Sequence, residues 1–346
     1  MRAELQTLHA TIPPTFNARK RWGSRASVRL LLSDDGDGIG IGEAAPLAGM
    51  SAETVNDARD ALAHFDWPRK APSSLAEIAR VVARIDPKVP SARFAAETAL
   101  LSLWTSRLGM PLWAAWADEV AEIPIAATLW GVDDRALVET AKELAAYEVP
   151  AVKVKIGRAA ALDEWLLEAV RGVLPEAELR LDANGSLDPE QLDERLAALS
   201  EFYPAFLEEP CALGVIEERA EVPFPMAVDE TLAGPDGEEI FERALACEHV
   251  GAVVLKPTLL GGLGRCFELA RRARAQGLRT IVSHALEGPI ARAACAHLAL
   301  ALGPEAAGLG DHPALEPLSD GLCTPWIDLA WISPIEEPGL GLELAF

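Results

Sequence analysis

The chain has 346 residues, half of them hydrophobic, and carries 31 lysines and arginines against 53 aspartates and glutamates, a formal net charge of -22. Such acidity excludes nucleic acid and anionic membrane surfaces as partners, because both demand a basic face, and leaves small molecules. The length favours one large domain with a smaller one rather than several small modules, and leaves open whether the protein is a monomer or a homo-oligomer.

The first ten residues, M-R-A-E-L-Q-T-L-H-A, are polar where a secretory signal needs its apolar stretch, and no uncharged window approaches the ~20 residues of a membrane span. A soluble, cytoplasmic protein is expected. Its five cysteines are widely spaced and lack any C-x-x-C pair, which fits reduced thiols better than a disulfide framework or a zinc site. Residues 26 to 32 and 39 to 43 flank S-D-D-G-D-G, whose Asp-Gly pairs predict a hairpin, so a small antiparallel sheet comes first. Helical patterns follow from Ser51, with the serine as cap and Glu53 close behind, and from Pro90. Sheet then helices makes an α+β domain, taken as residues 1 to 118. From about Ile123 the rhythm turns to strand then helix, with strands predicted at 123–129, 150–156, 178–182, 204–208, 224–228, 250–255, 278–283 and weakly at 307–310. Eight such runs close a β/α barrel over residues 119 to 314, and the turn-rich tail, 315 to 346, returns to the first domain.

Charged residues end five successive apolar runs: Lys155, Asp182, Glu208, Asp229 and Lys256, at steps of 27, 26, 21 and 27 residues, each close to one strand plus one helix. Barrel chemistry sits at such strand ends. One acidic residue there is explained as a cap for the next helix; three in consecutive strands, framed by lysines, are not. Converging carboxylates suit a magnesium ion, which takes about six oxygen ligands and shares them between protein, water and substrate. Lysine is scarce, seven against 24 arginines, yet Lys153, Lys155 and Lys256 stand here, and lysine can release a proton where arginine cannot. Strand alternation turns Lys153 and Lys155 to one face, where the two ammoniums are expected to depress each other's pKa and ready Lys155 as a base. Lys256, on the far side, is a second acid/base or a fixed positive charge.

Other residues carry weaker signals. His284 reads as a base or, preferably, a polar loop residue, and Glu287 as an outer carboxylate or a helix cap partner. The loop from Phe16 to Arg25, with Arg19, Lys20, Arg21 and Arg25, either binds substrate carboxylates over the mouth or is an ordinary basic loop. G-I-G-I-G from Gly38 lies in a hairpin and opens no helix, so it is no dinucleotide fingerprint; G-G-L-G from Gly261 lacks the lysine and serine of a phosphate loop.

K-V-K at Lys153 to Lys155, D-A-N at Asp182 to Asn184, E-E-P at Glu208 to Pro210, D-E at Asp229 and Glu230, and L-K-P at Leu255 to Pro257 together resemble the enolase superfamily, in its muconate-lactonizing branch. Within the branch, G-E-A-A-P-L-A-G-M-S-A-E-T from Gly42, F-L-E-E-P-C from Phe206 and V-V-L-K-P-T-L-L-G from Val253 are most similar to the o-succinylbenzoate synthase family. The resemblance spans nearly the whole chain. It implies the α/β class, as a modified TIM (β/α) barrel closed over by an α+β capping domain built from the N-terminal part and the tail. It also implies that Asp182, Glu208 and Asp229 bind Mg2+, that Lys155 takes the proton α to the substrate carboxylate to give an enediolate, and that Lys155 returns it to the departing hydroxyl. The product of that syn dehydration is o-succinylbenzoate, in menaquinone biosynthesis. Lys256 would stay protonated, facing the conjugated ring, while Lys153, Asn184 and Ser283 support the site or touch substrate. Where many relatives carry E-S in a serine-rich stretch after strand seven, this chain has Ser283, His284, Ala285, Leu286, Glu287 and Gly288. In place of the D-x-D of dipeptide epimerases near strand eight it has G-D-H-P with Asp311. An N-acylamino-acid racemase uses the same two lysines and is the main alternative, with a dipeptide epimerase beside it. A non-catalytic barrel is disfavoured, because buried charges without work to do are free to drift.

Overall fold

In the computed structural model of the chain, the described residues are 1–16, 20–34, 38–131 and 133–344. β1 (Arg2–Phe16) pairs antiparallel with β2 (Arg21–Ser33), and β2 with β3 (Ile39–Ala44) from Val28↔Ala44 to Ser33↔Ile39. The predicted hairpin is therefore present, with its turn at 35–37 outside the described residues. β1 was not predicted: most of its side chains alternate between half-buried and exposed, as on a sheet edge, and its register slips between Thr11 and Thr15, where Pro13 and Pro14 have no N–H to give. The helix predicted from Ser51 is α1 (Val55–Ala63), and its cap is Thr54, in a capping box with Asp57. The Ser51 hydroxyl instead accepts from the Leu47 amide at 2.9 Å. α2 (Leu75–Val82) follows, then α3 (Pro90–Leu108), with proline in its first turn and Gly109 left-handed at its end (φ 68°). α3 lies on β3 at Gly40 and Gly42, where an added Cβ would stand 2.0 Å from the carbonyl oxygens of Ala99 and Ala95. The glycine repeat thus lets a helix settle on a strand.

The second half alternates as predicted: β4 (Ile123–Pro124), β5 (Ala126–Thr128), α4 (Asp134–Ala145), β6 (Ala151–Lys155), α5 (Ala160–Val173), β7 (Glu178–Asp182), α6 (Leu192–Ser200), β8 (Phe206–Glu208), α7 (Leu213–Glu217), β9 (Met226–Val228), α8 (Gly237–Ala246), β10 (Val250–Leu255), α9 (Pro257–Leu260), α10 (Leu263–Ala275), β11 (Arg279–Val282) and α11 (Pro289–Leu302). Strands β5 to β11 form one parallel sheet in sequence order. It closes through single parallel bridges, Ser283↔Gly308 and Ile125↔Ala307, so the weak eighth strand is a two-residue seam. The first predicted strand is split. β4 pairs antiparallel with β13 (Trp331–Ile332), a piece of the tail, while β5 joins the sheet; β12 (Leu322–Cys323) and β14 (Glu343–Leu344) pair with each other.

Inside the barrel, Phe206, Ala227, Ala252, Val254 and Ile281 pack together, and the Arg180 guanidinium, 1% exposed, lies 5.1 Å from the Phe206 ring centre. Glu178, Arg279 and Glu305 pair beneath it and seal the floor. α3 shares one apolar core with α10 and α11. Two buried carboxylates of the N-terminal half also cap barrel helices: Glu97 accepts from the amides of Leu263 and Gly264, and Glu43 from that of Ala291. Among the described residues no α-helix follows α11. The tail covers the gap between α11 and α4 and leaves a cavity of about 870 Å³ there. No helix of the described residues is long and apolar enough to cross a membrane.

Candidate active site

Parallel register sets the first three site residues side by side: Lys155 opposite Asp182, and Asp182 opposite Glu208. Asp229 and Lys256 are the first residues after β9 and β10. With the seam counted as eighth, Lys155 and Lys256 stand four strands apart, on opposite walls. Alternation turns Lys153 inward beneath Lys155, as predicted.

The carboxylates are almost fully buried, with side chains of Asp182, Glu208 and Asp229 2%, 2% and 1% exposed. Lys153 Nζ bridges Asp182 Oδ2, at 3.0 Å, and Glu208 Oε2; Lys256 Nζ donates to Asp229 Oδ2. Lys155 Nζ is looser, 3.4 Å from Asn184 Oδ1 and 3.9 Å from Asp182 Oδ2, and its side chain is the most open of the three, 35% exposed against 12% for Lys153 and 14% for Lys256. Electrostatics separates the lysines. Burial opposes charge on Lys153, but Asp182, Glu208 and Asp229 outweigh it and push its pKa well up. Lys155 moves the other way: burial lowers it, and the positive charges of Lys153 and Lys256 add to that against Asp182. The mutual depression expected of the lysine pair thus holds for Lys155 alone. Lys256 is raised by Asp229 and Glu230 against its burial.

Two acids that follow site residues directly were quoted in the motifs but given no role. Glu209, φ 43°, turns back and accepts from the Asp229 amide (2.7 Å), the Thr231 amide (3.2 Å) and the Thr231 hydroxyl (2.6 Å). Glu230 accepts from Asn184 Nδ2 at 3.2 Å, and Asn184, φ 46°, gives its amide to Asp182 Oδ1. The doubled acids of E-E-P and D-E were the available signal. Burial pushes Glu208 and Glu230 up to about 7, whereas Lys153, Lys155 and Lys256 overcome burial and hold Asp182 well below the carboxylate range.

Among the described residues, no three acidic, imidazole or thiol side chains are gathered as a ready cage for a cation, because the lysines engage the carboxylates. The donor set nonetheless fits a divalent ion. Asp229 Oδ1 is buried with no partner, and Glu208 and Glu230, pushed up by burial to about 7, lack the positive charge that a hard dication would supply to hold them ionised.

Other predicted residues fall elsewhere. Ser283 Oγ donates to Gly308 O at 3.0 Å and so ties β11 to the seam. His284, its side chain 11% exposed, accepts at Nδ1 from the Leu286 amide, and is held neutral, its pKa pushed down to about 3 by burial and then Arg292. That agrees with the loop reading. Glu287 is buried and accepts from the Ala285 amide; the acid that caps α11 is Glu43. Arg25 is not free to meet substrate: 4% exposed, it donates to the carbonyls of Pro46, Ala45, Leu286 and Ala285, clasping the loop after β3 to the loop after β11. Lys20 donates to Gly49 O, Arg21 opens β2, and Arg19 lies outside the described residues. Asp311 pairs with Arg292 at 2.6 Å.

Known proteins agree with this architecture. Residues 136–345 match the family described as Enolase C-terminal domain-like. The o-succinylbenzoate synthase of Salmonella arizonae (strain ATCC BAA-731 / CDC346-86 / RSK2980) is 31% identical over 291 residues, 82% of this chain and 80% of its own. That of Aliivibrio salmonicida (strain LFI1238) is 30% identical over 271 residues, 77% and 76% of the two chains. A dipeptide epimerase from Methylococcus capsulatus, solved with Mg and the dipeptide L-Arg-D-Lys, superimposes with a TM-score of 0.84 at 25% identity, over 99% of this chain and 98% of that one. With a capped barrel, a strand-end set of lysines and acids, and identity across most of its length, the chain belongs to the enolase superfamily, among the mandelate racemase and muconate-lactonizing enzymes.

Proposed function

We propose that the chain is a magnesium-dependent, cytoplasmic o-succinylbenzoate synthase of menaquinone biosynthesis, a lyase that dehydrates 2-succinyl-6-hydroxy-2,4-cyclohexadiene-1-carboxylate. The observation that carries the reading is the identity to o-succinylbenzoate synthases over about four fifths of both chains. Asp182, Glu208 and Asp229 would hold Mg2+, which when bound supplies the positive charge that makes a proton beside a carboxylate removable by an amine. Lys155, the most accessible of the three site amines, takes that proton and delivers it to the hydroxyl leaving from the same face. The C–H and C–O bonds break, a C=C bond forms, and water departs. Lys153 holds Asp182 and Glu208 in place from below, and Asn184 orients Lys155. Lys256, fixed by Asp229 on the opposite wall, presents its charge to the conjugated ring.

A second reading, racemase of N-acylated amino acids or epimerase of dipeptides, is favoured by one feature: lysines on opposite walls can serve both faces of a planar carbon. Purified protein with Mg2+ and the cyclohexadiene, beside Lys155→Ala and beside N-succinyl amino acids in deuterated water, decides between them. The synthase dehydrates rapidly and loses at least ~10³-fold in kcat on Lys155→Ala. Deuterium exchange at Cα without dehydration would replace the reading with the second one.

A further inference from the structure

Asp163 is a buried acid that the reaction above does not use. It stands in the first turn of α5, 0% exposed, yet no side chain caps that helix. Its carboxylate reaches back instead to the loop that follows β6 and Lys155. Oδ2 accepts from the amides of Gly157 at 2.9 Å and Arg158 at 3.2 Å and from Arg195 Nη2 of α6 at 2.7 Å, while Oδ1 accepts from Arg158 Nε at 3.0 Å. A carboxylate taken out of water is costly unless its oxygens are answered, and these donors answer both.

The rest of the loop is fixed as firmly. The Ile156 amide bonds to Asp182 O at 2.9 Å. A Cβ on Gly157, φ 103°, would stand 1.9 Å from Ser186 Oγ, two residues past Asn184, so the loops after β6 and β7 touch there. Arg158 and Arg195 carry the grip on to Asp134 of α4 and Glu164 of α5. Lys153 and Lys256 are located by close ion pairs with the site carboxylates. Lys155 has only the longer contacts to Asn184 and Asp182, so its Nζ stands where its backbone puts it.

We propose that Asp163 is a positioning residue for the base: from α5 it holds the backbone that carries Lys155, and with it the direction of proton transfer. The inference rests on Lys155 as the base, which the synthase and racemase readings share. A shift of about 1 Å between a base and its proton costs on the order of 100-fold in rate.

The test uses the magnesium-loaded protein and whichever substrate the wild type turns over. Asp163→Asn keeps the shape but leaves one oxygen where two are used. It is expected to lower kcat about 10- to 100-fold, with KM within about threefold and magnesium affinity, by calorimetry, within about twofold of the wild type. With deuterium at the α carbon, its isotope effect on kcat should stand clearly above unity, because proton transfer limits the slowed reaction; a substitution that slows another step leaves it near unity. Arg195→Gln removes one arginine and spares both amide bonds, so it should lower the thermal midpoint and keep kcat within about threefold. If Asp163→Asn does not fold, Asp163→Glu, which keeps the charge and moves the oxygens by one methylene, is read the same way. An unchanged kcat, a slowed reaction with no isotope effect, a KM or magnesium affinity that worsens as much as kcat, or an equal kcat loss in Arg195→Gln overturns the inference. So does failure of both Asp163 variants to fold, which would make Asp163 a folding residue. Deuterium exchange into N-succinyl amino acids without dehydration, slowed by Asp163→Asn, upholds the positioning role and removes the synthase reading. Full dehydration by Asp163→Asn does the reverse.

Discussion

Lys153 and Lys155 share a strand and a face, but only Lys155 is both open to the mouth and drawn below the ordinary lysine value of 10.5, first by burial and then by the neighbouring lysines. The base is the unprotonated form, so kcat/KM is expected to rise with pH on a limb with an apparent pKa below 10.5; a limb at or above that value would exclude Lys155 as the base. Lys155→Arg, which cannot release its proton in this range, should lose activity and limb together. Glu209 positions rather than reacts: it holds the Asp229 amide and both donors of Thr231. Glu209→Gln is expected to weaken magnesium binding ~10- to 100-fold by calorimetry, and unchanged affinity would assign Glu209 a purely structural place. The contrast shows what the sequence could disclose. Asp182, Glu208 and Asp229 were legible because a charge that ends an apolar run, three times at barrel spacing, has no simpler cause. Glu209 was not, because alternation points the residue after Glu208 away from the barrel, and only its left-handed backbone turns it back. Arg25 stood between a substrate ligand and an ordinary basic loop residue, and its actual place could not be read locally because its four carbonyl partners come from two loops, one of them 260 residues away.

Strand identity was readable from apolar runs, while ends and breaks were set by particular side chains. S-A-E-T and T-V-N-D offer overlapping caps, and the second wins because Ser51 is engaged by the loop before it. The split between β4 and β5 follows from the tail, which no local pattern announces. Helix ends also carry the joint between the two halves. Burial raises Glu97 from 4.5 to about 7, against the α10 amides that it caps. A folded-state pKa above the unfolded one means that the folded protein binds this proton more tightly, so this contribution to stability is full below about 4.5 and is lost as pH rises through about 7. Glu97→Gln keeps an oxygen acceptor and cannot ionise. Its stability relative to the wild type, from denaturant unfolding, should therefore improve between pH 5 and pH 8; a constant difference would show that Glu97 stays ionised in the fold.

At the scale of the molecule, a net charge of -22 repels itself in the compact state. Raising salt from about 20 mM to about 0.5 M shortens the Debye length several-fold, and the thermal midpoint should climb with it. A midpoint indifferent to salt would mean that local pairs such as Arg219–Asp193, Arg243–Glu217 and Arg272–Glu238 already offset the repulsion among the acids left unpaired. The tail has an effect of another kind. The start of the barrel is finished by residues about 200 positions further along the chain: Ile123 pairs with Ile332, the Ile125 amide bonds to Ala330 O, and the Leu112 amide bonds to Gly339 O. Synthesis proceeds from the N-terminus, so the three-stranded sheet and the early helices emerge long before their closing partner. A chain stalled on the ribosome short of residue 330 keeps those early backbone groups open and should be cut by protease near residues 119 to 125. One released a few residues after 339 should resist, so the arrival of residues 330 to 339, rather than the sheet itself, times when this barrel closes.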